Sequence, residues 1–566
     1  MQPDQDGLPM LAMGPGLLGT VPKPVTRRRY RVWLYLLGLV VSTAVLLRLY
    51  TYHLSKLGSR AMTPQEANAA AKEFLETIQH QQETLPGSNK ACAELPIPAE
   101  YWSLDTLHSP FVDIPFGDQI GPGETVCVRV VVPPKKGPYE WAFMPLENGP
   151  WDSILLDLIS TRTKVSVPVQ LEMATHVHNY QRERTHVYQA DVQLFDADTY
   201  RPKGYIEFRD ALWNRDQDYM ANNPFHPEPL KVDKRLAVSV VSAGGKHGFF
   251  NLDGYFDLPL CTEADNDGRW VSAEHLPFDP QLVPPPDNHN MVWLPYHCRL
   301  QRYTYSQFAQ CLANKHQLVH LFGDSNIRRS LKKITTLGQW CSTPELQRVD
   351  PCVCNDNNEP FSTYAAYKRI APFDLYPDQG AVVPNDPEDY ATVGPNRTRV
   401  VAMKWDGLTD KNNPPWKDYF NLDVQEKLGR PTLVHIGVTN WSSAFESYQH
   451  FATDVPQLAQ LIKQTYGSSI PIILRTGQYF YSSATTNKYP NNRFSRLRNY
   501  YMDQLLIAEF KRHFGTSVHV WDVSRITERW PREFLGEDSI DCVSSHARSE
   551  IVETENQVMF NALCNH

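Results

Sequence analysis

The second half of the chain alternates short apolar runs with longer segments of helical periodicity, and this alternation limits the possible folds. The apolar runs predict five strands, at 318–322, 399–405, 432–438, 470–475 and 518–523. The segments of helical periodicity include 455–462, 494–508 and 550–563. Strands that alternate with helices are joined by crossovers, so they form parallel pairs with helices on both faces. The sequence therefore predicts an α/β domain with a mostly parallel sheet.

The first of these strands ends in a Gly-Asp-Ser turn at 323–325, and a helix is expected directly after it. The apolar positions of that helix recur on one face: Ile327, Leu331 and Ile334. A serine on a strand-to-helix turn has an accessible hydroxyl and lies beside the N–H groups of the helix start. This is the geometry that a nucleophile of acyl transfer needs, so Ser325 is the candidate nucleophile.

Two later segments carry groups that complete such a site. Asp541 and His546 lie between the last strand and the last helix. They supply a base for the serine hydroxyl and a carboxylate that orients the base. Asn440 follows the third strand and can donate its side-chain N–H to an oxyanion, while Gly437 allows close approach of the backbone. Ser325, Asn440 and His546 are expected at the carboxyl edge of one sheet.

The N-terminus predicts a membrane anchor. Basic residues from Lys23 to Arg31 precede an uncharged apolar run at 32–47. The positive flank is expected in the cytosol, which places the bulk of the chain in the lumen. We divide this part into a cytosolic tail at 1–26, a signal anchor at 27–52 and a stalk at 53–102. The alternative of a cleaved signal peptide is disfavoured by the long leader, and the short span suits a Golgi or other early secretory membrane.

Cysteine content and charge agree with a lumenal protein. All ten cysteines follow the predicted anchor, and their even number predicts disulfides in an oxidising compartment, with Cys542 and Cys564 among the bridged residues. No CxxC pair occurs, so no structural zinc is expected. Asn396 begins a glycosylation sequon. The net charge of −8, without a basic block beyond the N-terminus, argues against nucleic-acid binding.

The middle of the chain, 103–260, reads as strands separated by turns. Strand-like runs occur at 125–132, 165–173, 187–194 and 236–241. Their spacing predicts an immunoglobulin-like β-sandwich. His176, His178 and His186 are interpreted as strand or loop residues and not as metal ligands. The remaining segment, 261–566, is the predicted catalytic domain.

Several blocks in that segment together resemble a known family. Gly268-Arg269-Trp270-Val271, the stretch from Trp293 to Arg302, the Gly-Asp-Ser turn with a following arginine, and the late Asp541-Cys542 and Ser545-His546 stand in order. This order is similar to that of SGNH (GDSL-like) hydrolases, and most similar to their PC-esterase branch. That branch includes trichome-birefringence-like polysaccharide O-acetyltransferases, sialic-acid O-acetyltransferases and the neurexophilin-and-PC-esterase proteins.

The resemblance implies a function and a set of roles. It implies a lumenal glycan or polysaccharide O-acetyltransferase of Ser-His-Asp type, with Gly407 as a further oxyanion group. An O-acetyl esterase is the alternative enzyme, and an inactive glycan- or protein-binding membrane protein is the alternative of another class. The family spacing is Asp-x-x-His, whereas Asp541 lies five residues before His546. Three arrangements therefore stay open. His546 is oriented by Asp541 from a bulged loop, it is oriented by Asp538, or the site is a Ser–His dyad.

The expected partners are a glycan acceptor and the membrane through the N-terminal helix. No cofactor is expected.

We expect type II topology, because the basic cluster precedes the apolar run. In intact microsomes, added protease should digest a tag at the N-terminus and leave a C-terminal tag protected. Protection of the N-terminal tag together with digestion of the C-terminal tag would overturn the predicted orientation.

Overall fold

The computed structural model of the protein describes residues 91–115, 119–135, 151–174, 185–209, 228–241, 255–264, 267–276, 290–340, 370–386, 389–408, 415–479, 496–530 and 549–565. All of them belong to one compact unit, 88–566. The predicted tail, the anchor and the stalk as far as residue 90 lie outside the described residues. Within the described ranges, no helix is both long and apolar enough to cross a membrane.

The N-terminal part of this unit is built from two β-sheets. Its strands are β1 (Phe111–Asp113), β2 (Gln119–Ile120), β3 (Thr125–Val132), β4 (Ser153–Ser160), β5 (Ser166–Pro168), β6 (Glu172–Met173), β7 (His186–Gln193), β8 (Thr199–Phe208), β9 (Glu228–Pro229) and β10 (Val238–Val240). One sheet has the order β1-β3-β7-β6, and the other has the order β2-β10-β8-β4-β5 with β9 beside β8. Apolar side chains of both sheets form one core.

Strand β3 shows why its sequence is almost continuously apolar. Its valines Val126, Val128 and Val130 face the core between the sheets. The other face is covered by the segment before β1, where Cys92 is bridged to Cys127 of the strand. The buried Arg129 donates to the backbone oxygens of that segment. Both faces of β3 are therefore covered, and seven of its eight residues are buried.

The predicted strand at 165–173 is wrong as a single element. The run divides into β5, which pairs with β4, and β6, which pairs with β7 in the other sheet. Pro168 ends β5, because proline has no N–H to donate to a ladder. The residues after it carry the chain from one sheet to the other.

A hairpin joins the β-rich part to the rest of the unit. Strands β11 (Gly268–Ser272) and β12 (Met291–Pro295) contain two of the family-like blocks and pair antiparallel. Side chains on a strand alternate between its faces. Val271 and Val292 enter the core of the β-rich part, whereas the paired Trp270 and Trp293 enter the core of the α/β part. The Trp270 indole also donates to the Ile526 oxygen at 2.8 Å.

The C-terminal part contains a seven-stranded sheet. Its strands are β13 (Leu318–Gly323), β14 (Ile370–Tyr376), β15 (Gly380–Val382), β16 (Thr398–Lys404), β17 (Leu433–Gly437), β18 (Ile472–Arg475) and β19 (Val518–Trp521). The helices of this part are α1 (Tyr305–Lys315), α2 (Ser325–Thr335), α3 (Leu422–Leu428), α4 (Thr439–Phe445), α5 (Tyr448–Tyr466), α6 (Arg496–Phe514), α7 (Val523–Glu528) and α8 (Ser549–Cys564). Short 3-10 helices lie at Cys92–Glu94, Ala99–Ser103, Ala273–His275, Trp416–Phe420 and Gly515–Ser517.

The prediction of a mostly parallel sheet is confirmed. The spatial order is β15-β14-β16-β13-β17-β18-β19, and β16, β13, β17, β18 and β19 are mutually parallel. Strand β14 runs antiparallel to β16, so β14 and β15 add an antiparallel edge. Taken in chain order, the parallel strands are arranged 2-1-3-4-5. The direction of winding reverses beside β13, and ligands bind outside the carboxyl ends of strands at such a point.

Helices cover both faces of this sheet, as the sequence predicts. On one face, α1, α2, α7 and α8 pack on side chains such as Leu321 and Ile473. On the other face, α3, α5 and α6 pack on side chains such as Phe322 and Leu474. Because both faces are covered, the residues of the central strands are buried and mostly apolar, and polar residues do not alternate along them.

Three disulfides occur among the described residues, and one of them includes a cysteine that the sequence predicts to be bridged. Cys564 is bridged to Cys311, which ties the end of α8 to α1. Cys261 is bridged to Cys298 just before α1, and Cys92 to Cys127. The prediction for Cys564 is thus confirmed. The other predicted bridged residue, Cys542, lies outside the described residues.

Candidate active site at the carboxyl edge of the parallel sheet

The turn that carries Ser325 is capped by the residue before it. The Asp324 carboxylate accepts the Asn326 N–H at 2.9 Å, and its backbone oxygen accepts the Arg328 N–H at 3.2 Å. Burial raises the pKa of Asp324 to about 6, against the opposing effect of the Arg475 charge. Ser325 is the first residue of α2, so its own N–H is one of the donors that a helix cannot use internally.

Two glycines at adjacent strand ends let α2 start close to the sheet. Gly323 of β13 lies opposite Gly437 of β17 in the register. The Ile327 side chain packs over both. An added Cβ would come within 2.3 Å of the Ile327 Cδ1 atom from Gly323 and within 2.5 Å from Gly437. The sequence predicts that Gly437 allows close approach of the backbone, whereas in the structure its missing side chain makes room for Ile327 of α2.

The Asn440 side chain pairs with a backbone segment. Its amide nitrogen donates to the Gln478 oxygen at 2.8 Å, and its amide oxygen accepts the Gln478 N–H at 2.8 Å. Asn440 is buried in the first turn of α4. An amide nitrogen has two N–H groups, so one of them is committed to this pair. Asn440 thus holds the loop after β18 against the start of α4.

Helix α6 holds the same loop from another side. The Asp503 carboxylate accepts the Gly477 N–H at 3.0 and 3.1 Å, and the Asn499 amide donates to the Gln478 oxygen at 2.8 Å. Burial raises the pKa of Asp503 to about 8, and the hydrogen bonds from Thr439 and Gly477 only partly oppose this. Asp503 is therefore a carboxyl group that the fold favours in its protonated form at neutral pH.

A buried ion pair closes the polar cluster. Arg475, the last residue of β18, lies 2.8 Å from the Glu555 carboxylate of α8, and both are almost fully buried. The other oxygen of Glu555 accepts from the Gln478 amide. The Arg475 guanidinium also lies 5.2 Å from the centre of the Trp521 ring. These contacts connect β18, β19 and α8 at the edge where Ser325 lies.

Gly407, predicted as an oxyanion group, lies after β16 and packs against α4. Its φ of 76° is in the left-handed region, which favours glycine. A Cβ there would approach the Ser442 Oγ within 2.9 Å. That hydroxyl accepts the Leu408 N–H at 3.1 Å and donates to the Glu446 carboxylate at 3.0 Å. Burial raises the pKa of Glu446 to about 7.

The histidines in the central strands are engaged elsewhere. His320 of β13 is within hydrogen-bonding distance of the Tyr466 hydroxyl and the Leu428 oxygen, at 3.0 and 3.2 Å. His435 of β17 packs against the Trp521 ring. Burial lowers the pKa of His320 to about 4 and that of His435 to about 3, so both are neutral in the fold.

The structure brings together only part of the predicted site. Ser325, Gly437 and Asn440 lie at the ends of two adjacent parallel strands. Asp538, Asp541 and His546 lie outside the described residues, so their roles stay predictions. The sequon residue Asn396 is exposed in a turn with φ of 55°.

Sequence reasoning missed the residues that hold the loop after β18. Arg475 and Gln478 follow the fourth parallel strand, so the rule that selected Ser325 and Asn440 also applies to them. Asp503 and Asn499 had no such signal, because they lie within a helix whose periodicity marks only its apolar face.

Comparisons of the whole chain with family models and with characterised proteins find no match. The resemblance to the PC-esterase branch therefore continues to depend on the order of the sequence blocks.

The packing of Ile327 over two glycines makes a specific prediction. Gly437→Ala should lower the free energy of unfolding by about 1–3 kcal/mol, because its Cβ meets the Ile327 Cδ1. Ile327→Val removes that atom, and the next contacts lie at 3.3 Å, so the second substitution should offset most of the loss. Thermal and denaturant unfolding of both single variants and the double variant measure the coupling.

Gly323→Ala is the matched control. Its Cβ would also lie 2.8 Å from the Ile327 Cβ, which valine retains, so Ile327→Val should not rescue it. Equal rescue of both alanine variants, or no cost of Gly437→Ala, would contradict the described packing.

The raised pKa of Asp503 predicts that it contributes to a fall in stability as the pH rises. An unfolded aspartate titrates near 3.8, whereas folded Asp503 titrates near 8, so the folded state binds more protons between these values. One such proton contributes a slope of up to about 1.4 kcal/mol per pH unit. Asp503→Asn mimics the protonated form, so its unfolding temperature should fall less than that of the wild type between pH 5 and pH 8.

Glu509→Gln serves as the control for this comparison, because Glu509 is an acid of the same helix that pairs with Arg512 near the surface. A wild type and an Asp503→Asn variant with the same pH dependence would refute the protonated state of Asp503.

Proposed function

We propose that this chain is a lumenal glycan or polysaccharide O-acyltransferase that uses Ser325 as its nucleophile and an acetyl group as the transferred unit. The observation that carries the proposal is the position of Ser325. It begins α2 at the carboxyl end of β13, beside the end of β17, where the winding direction of the sheet reverses. Strand-to-helix turns of this kind present nucleophilic serines in hydrolases and acyltransferases.

The proposed reaction has two steps. The Ser325 Oγ attacks the acetyl carbonyl of the donor, and its proton passes to His546. The leaving group of the donor takes that proton, and an acetyl ester of Ser325 results. A sugar hydroxyl then attacks this ester while His546 accepts its proton, and Ser325 recovers the proton as the O-acetyl sugar is released.

The negative oxygen of each tetrahedral intermediate needs N–H donors. The Ser325 N–H suits this role, because it belongs to the first turn of α2 and the helix dipole favours negative charge there. Asn440 contributes through the N–H that its pair with Gln478 does not use. We infer that the Gln478 pair orients this donor, so that it needs no reorganisation during the reaction.

Two observations favour His546 as the base. The histidines of the central strands, His320 and His435, are buried and packed within the sheet, away from its carboxyl edge. Helix α8 begins at Ser549, shortly after His546, and is held to β18 by the ion pair of Arg475 and Glu555. In the sequence, His546 therefore stands three residues before a helix that packs against the Ser325 helix.

The finer fold assignment is part of this proposal. We interpret the α/β part as SGNH-like, supported by its 2-1-3-4-5 parallel strands and the Gly-Asp-Ser turn on the first of them. We interpret the two N-terminal sheets as an immunoglobulin-like domain, supported by their common core. The anchor at 27–52 would hold the protein in a Golgi or other secretory membrane.

Substitution of the nucleophile gives the decisive prediction. Ser325→Ala in the full-length protein should abolish labelling by a fluorophosphonate probe and abolish acetyl transfer to glycans. Folding should be preserved, because Asp324 and not Ser325 caps α2. Labelling is read by mass spectrometry, and transfer is read as acetylated glycan against free acetate with an acetylated donor.

Ser447→Ala is the matched control, because Ser447 caps the start of α5 through the His450 N–H. It should cost about 1 kcal/mol of stability and leave labelling unchanged. Release of acetate without transfer would favour the esterase. A folded wild type that the probe does not label would favour the non-enzymatic alternative and refute the proposal.

The orienting acid is tested in the same assays. A loss of about 10⁴ in Asp541→Asn would assign that role to Asp541. An equal loss in Asp538→Asn alone would move it to Asp538, and full activity in both would indicate a Ser–His dyad.

A further inference from the structure

A cleft lies between the β-rich part and helix α6, separate from the turn of Ser325. It has a volume of about 400 Å³ and is lined by residues 169–173 on one side and by the N-terminal half of α6 on the other. Small-molecule sites have volumes of about 300–1,000 Å³ and are common where two structural units meet. The size and place of this cleft are therefore those of a ligand site.

Two neighbouring tyrosines give the cleft its aromatic wall. Tyr500 and Tyr501 are partly exposed, and their rings lie edge to face with centroids 5.5 Å apart. Tyr501 is held from behind by Tyr448, at 6.4 Å and also edge to face. The negatively polarised faces of aromatic rings attract polarised C–H groups. Such C–H groups line the faces of a pyranose ring.

Polar side chains with both donors and acceptors stand beside these rings. Gln170 and Gln504 are exposed at the cleft, and each amide both donates and accepts hydrogen bonds. Sugar hydroxyls have the same dual character. The apolar lining is supplied by residues such as Leu171 and Met173. The lining thus combines apolar side chains and tyrosine rings with two amides, which suits the apolar faces and the hydroxyl edge of a sugar ring.

The charges at the cleft favour an uncharged ligand. Arg496 forms an ion pair with Glu528 and donates to the Val169 oxygen at 3.3 Å. Glu172 is exposed at the cleft, close enough to raise the pKa of Tyr500 after the larger effect of burial. An anionic ligand would meet the Glu172 carboxylate, whereas the guanidinium is already engaged.

The cleft is built on elements that the fold holds in place. Another face of α6 carries Asn499 and Asp503, which bind the backbone of the loop after β18. A peptide is a poorer fit, because the edge strand β6 has only two residues with which to pair an added strand. We propose that this cleft binds an uncharged oligosaccharide, independently of the chemistry at Ser325.

The test measures sugar binding to the detergent-solubilised full-length protein by saturation-transfer NMR. Lactose and N-acetyllactosamine are the probes, and α2,3-sialyllactose is the anionic comparator. Wild type and Ser325→Ala should bind the neutral sugars equally, and Tyr500→Ala should bind about two- to tenfold more weakly. Lys511→Ala, at an exposed position of α6 outside the cleft, should bind as the wild type does.

Gln170→Ala with Gln504→Ala gives a second variant that removes only exposed side chains. It decides the outcome if Tyr500→Ala does not fold. Absence of binding by the wild type, unchanged affinity in the cleft variants, or tighter binding of sialyllactose than of lactose would overturn the proposal. Loss of binding in Ser325→Ala would also overturn it, because binding would then belong to the catalytic site. If the protein binds neutral sugars but transfers no acetyl group, the proposed function fails and the proposal of a sugar-binding cleft stands.

Discussion

The buried ion pair of Arg475 and Glu555 is the contact on which the carboxyl edge of the sheet depends. It joins the end of a central strand to the last helix, across 80 residues of chain. Removing one partner of such a pair leaves an uncompensated buried charge and costs about 3–5 kcal/mol. The same guanidinium lowers the pKa of Asp324 and Asp503 against the effect of burial. The single positive charge of Arg475 therefore stabilises the last helix. It also opposes the burial effect that raises the pKa of Asp324 beside Ser325.

The loop after β18 is a second point at which several elements meet. Its backbone is bound by side chains from α4 and α6, and Gln478 binds Glu555 of α8. Buried backbone groups must find partners, and here side-chain amides and a carboxyl supply them. Tyr479, the last described residue after β18, packs on Leu155 and Tyr205 of the β-rich part. The loop thus connects the candidate site to the sheets that form one wall of the cleft.

The hairpin of β11 and β12 explains why the two parts form one compact unit. Its alternating side chains enter two cores, one on each face, so neither core is complete without it. Arg269 of this hairpin pairs with Asp196 of the β-rich part at 3.1 Å. Two blocks that suggested a family by sequence therefore have a structural role in joining the parts.

Local pattern was enough to predict the parallel strands and the longest helices of the α/β part, but it did not predict α1, α3, α4, α7, β14 or β15. Periodicity identified the five parallel strands, the helix after Ser325 and the long helices α5, α6 and α8, because each buries a regular apolar face. It failed at 165–173, where Pro168 divides one apolar run between two sheets. The pairing of Cys564 with Cys311 was also beyond local pattern, because it depends on which helices become neighbours.

The sequence by itself determined that Ser325 lies on the turn between a strand and a helix, since apolar period and turn residues are local properties. Only the tertiary structure decided what surrounds that turn. The register of Gly323 with Gly437, the pair of Asn440 with Gln478 and the raised pKa of Asp503 all depend on contacts between residues far apart in the chain. The cleft of Tyr500 and Gln170 is of the same kind, because its two walls are more than 300 residues apart and are joined by Arg496 and Val169. Such contacts produce no periodic pattern in the sequence of either segment, so they are visible only in the folded structure.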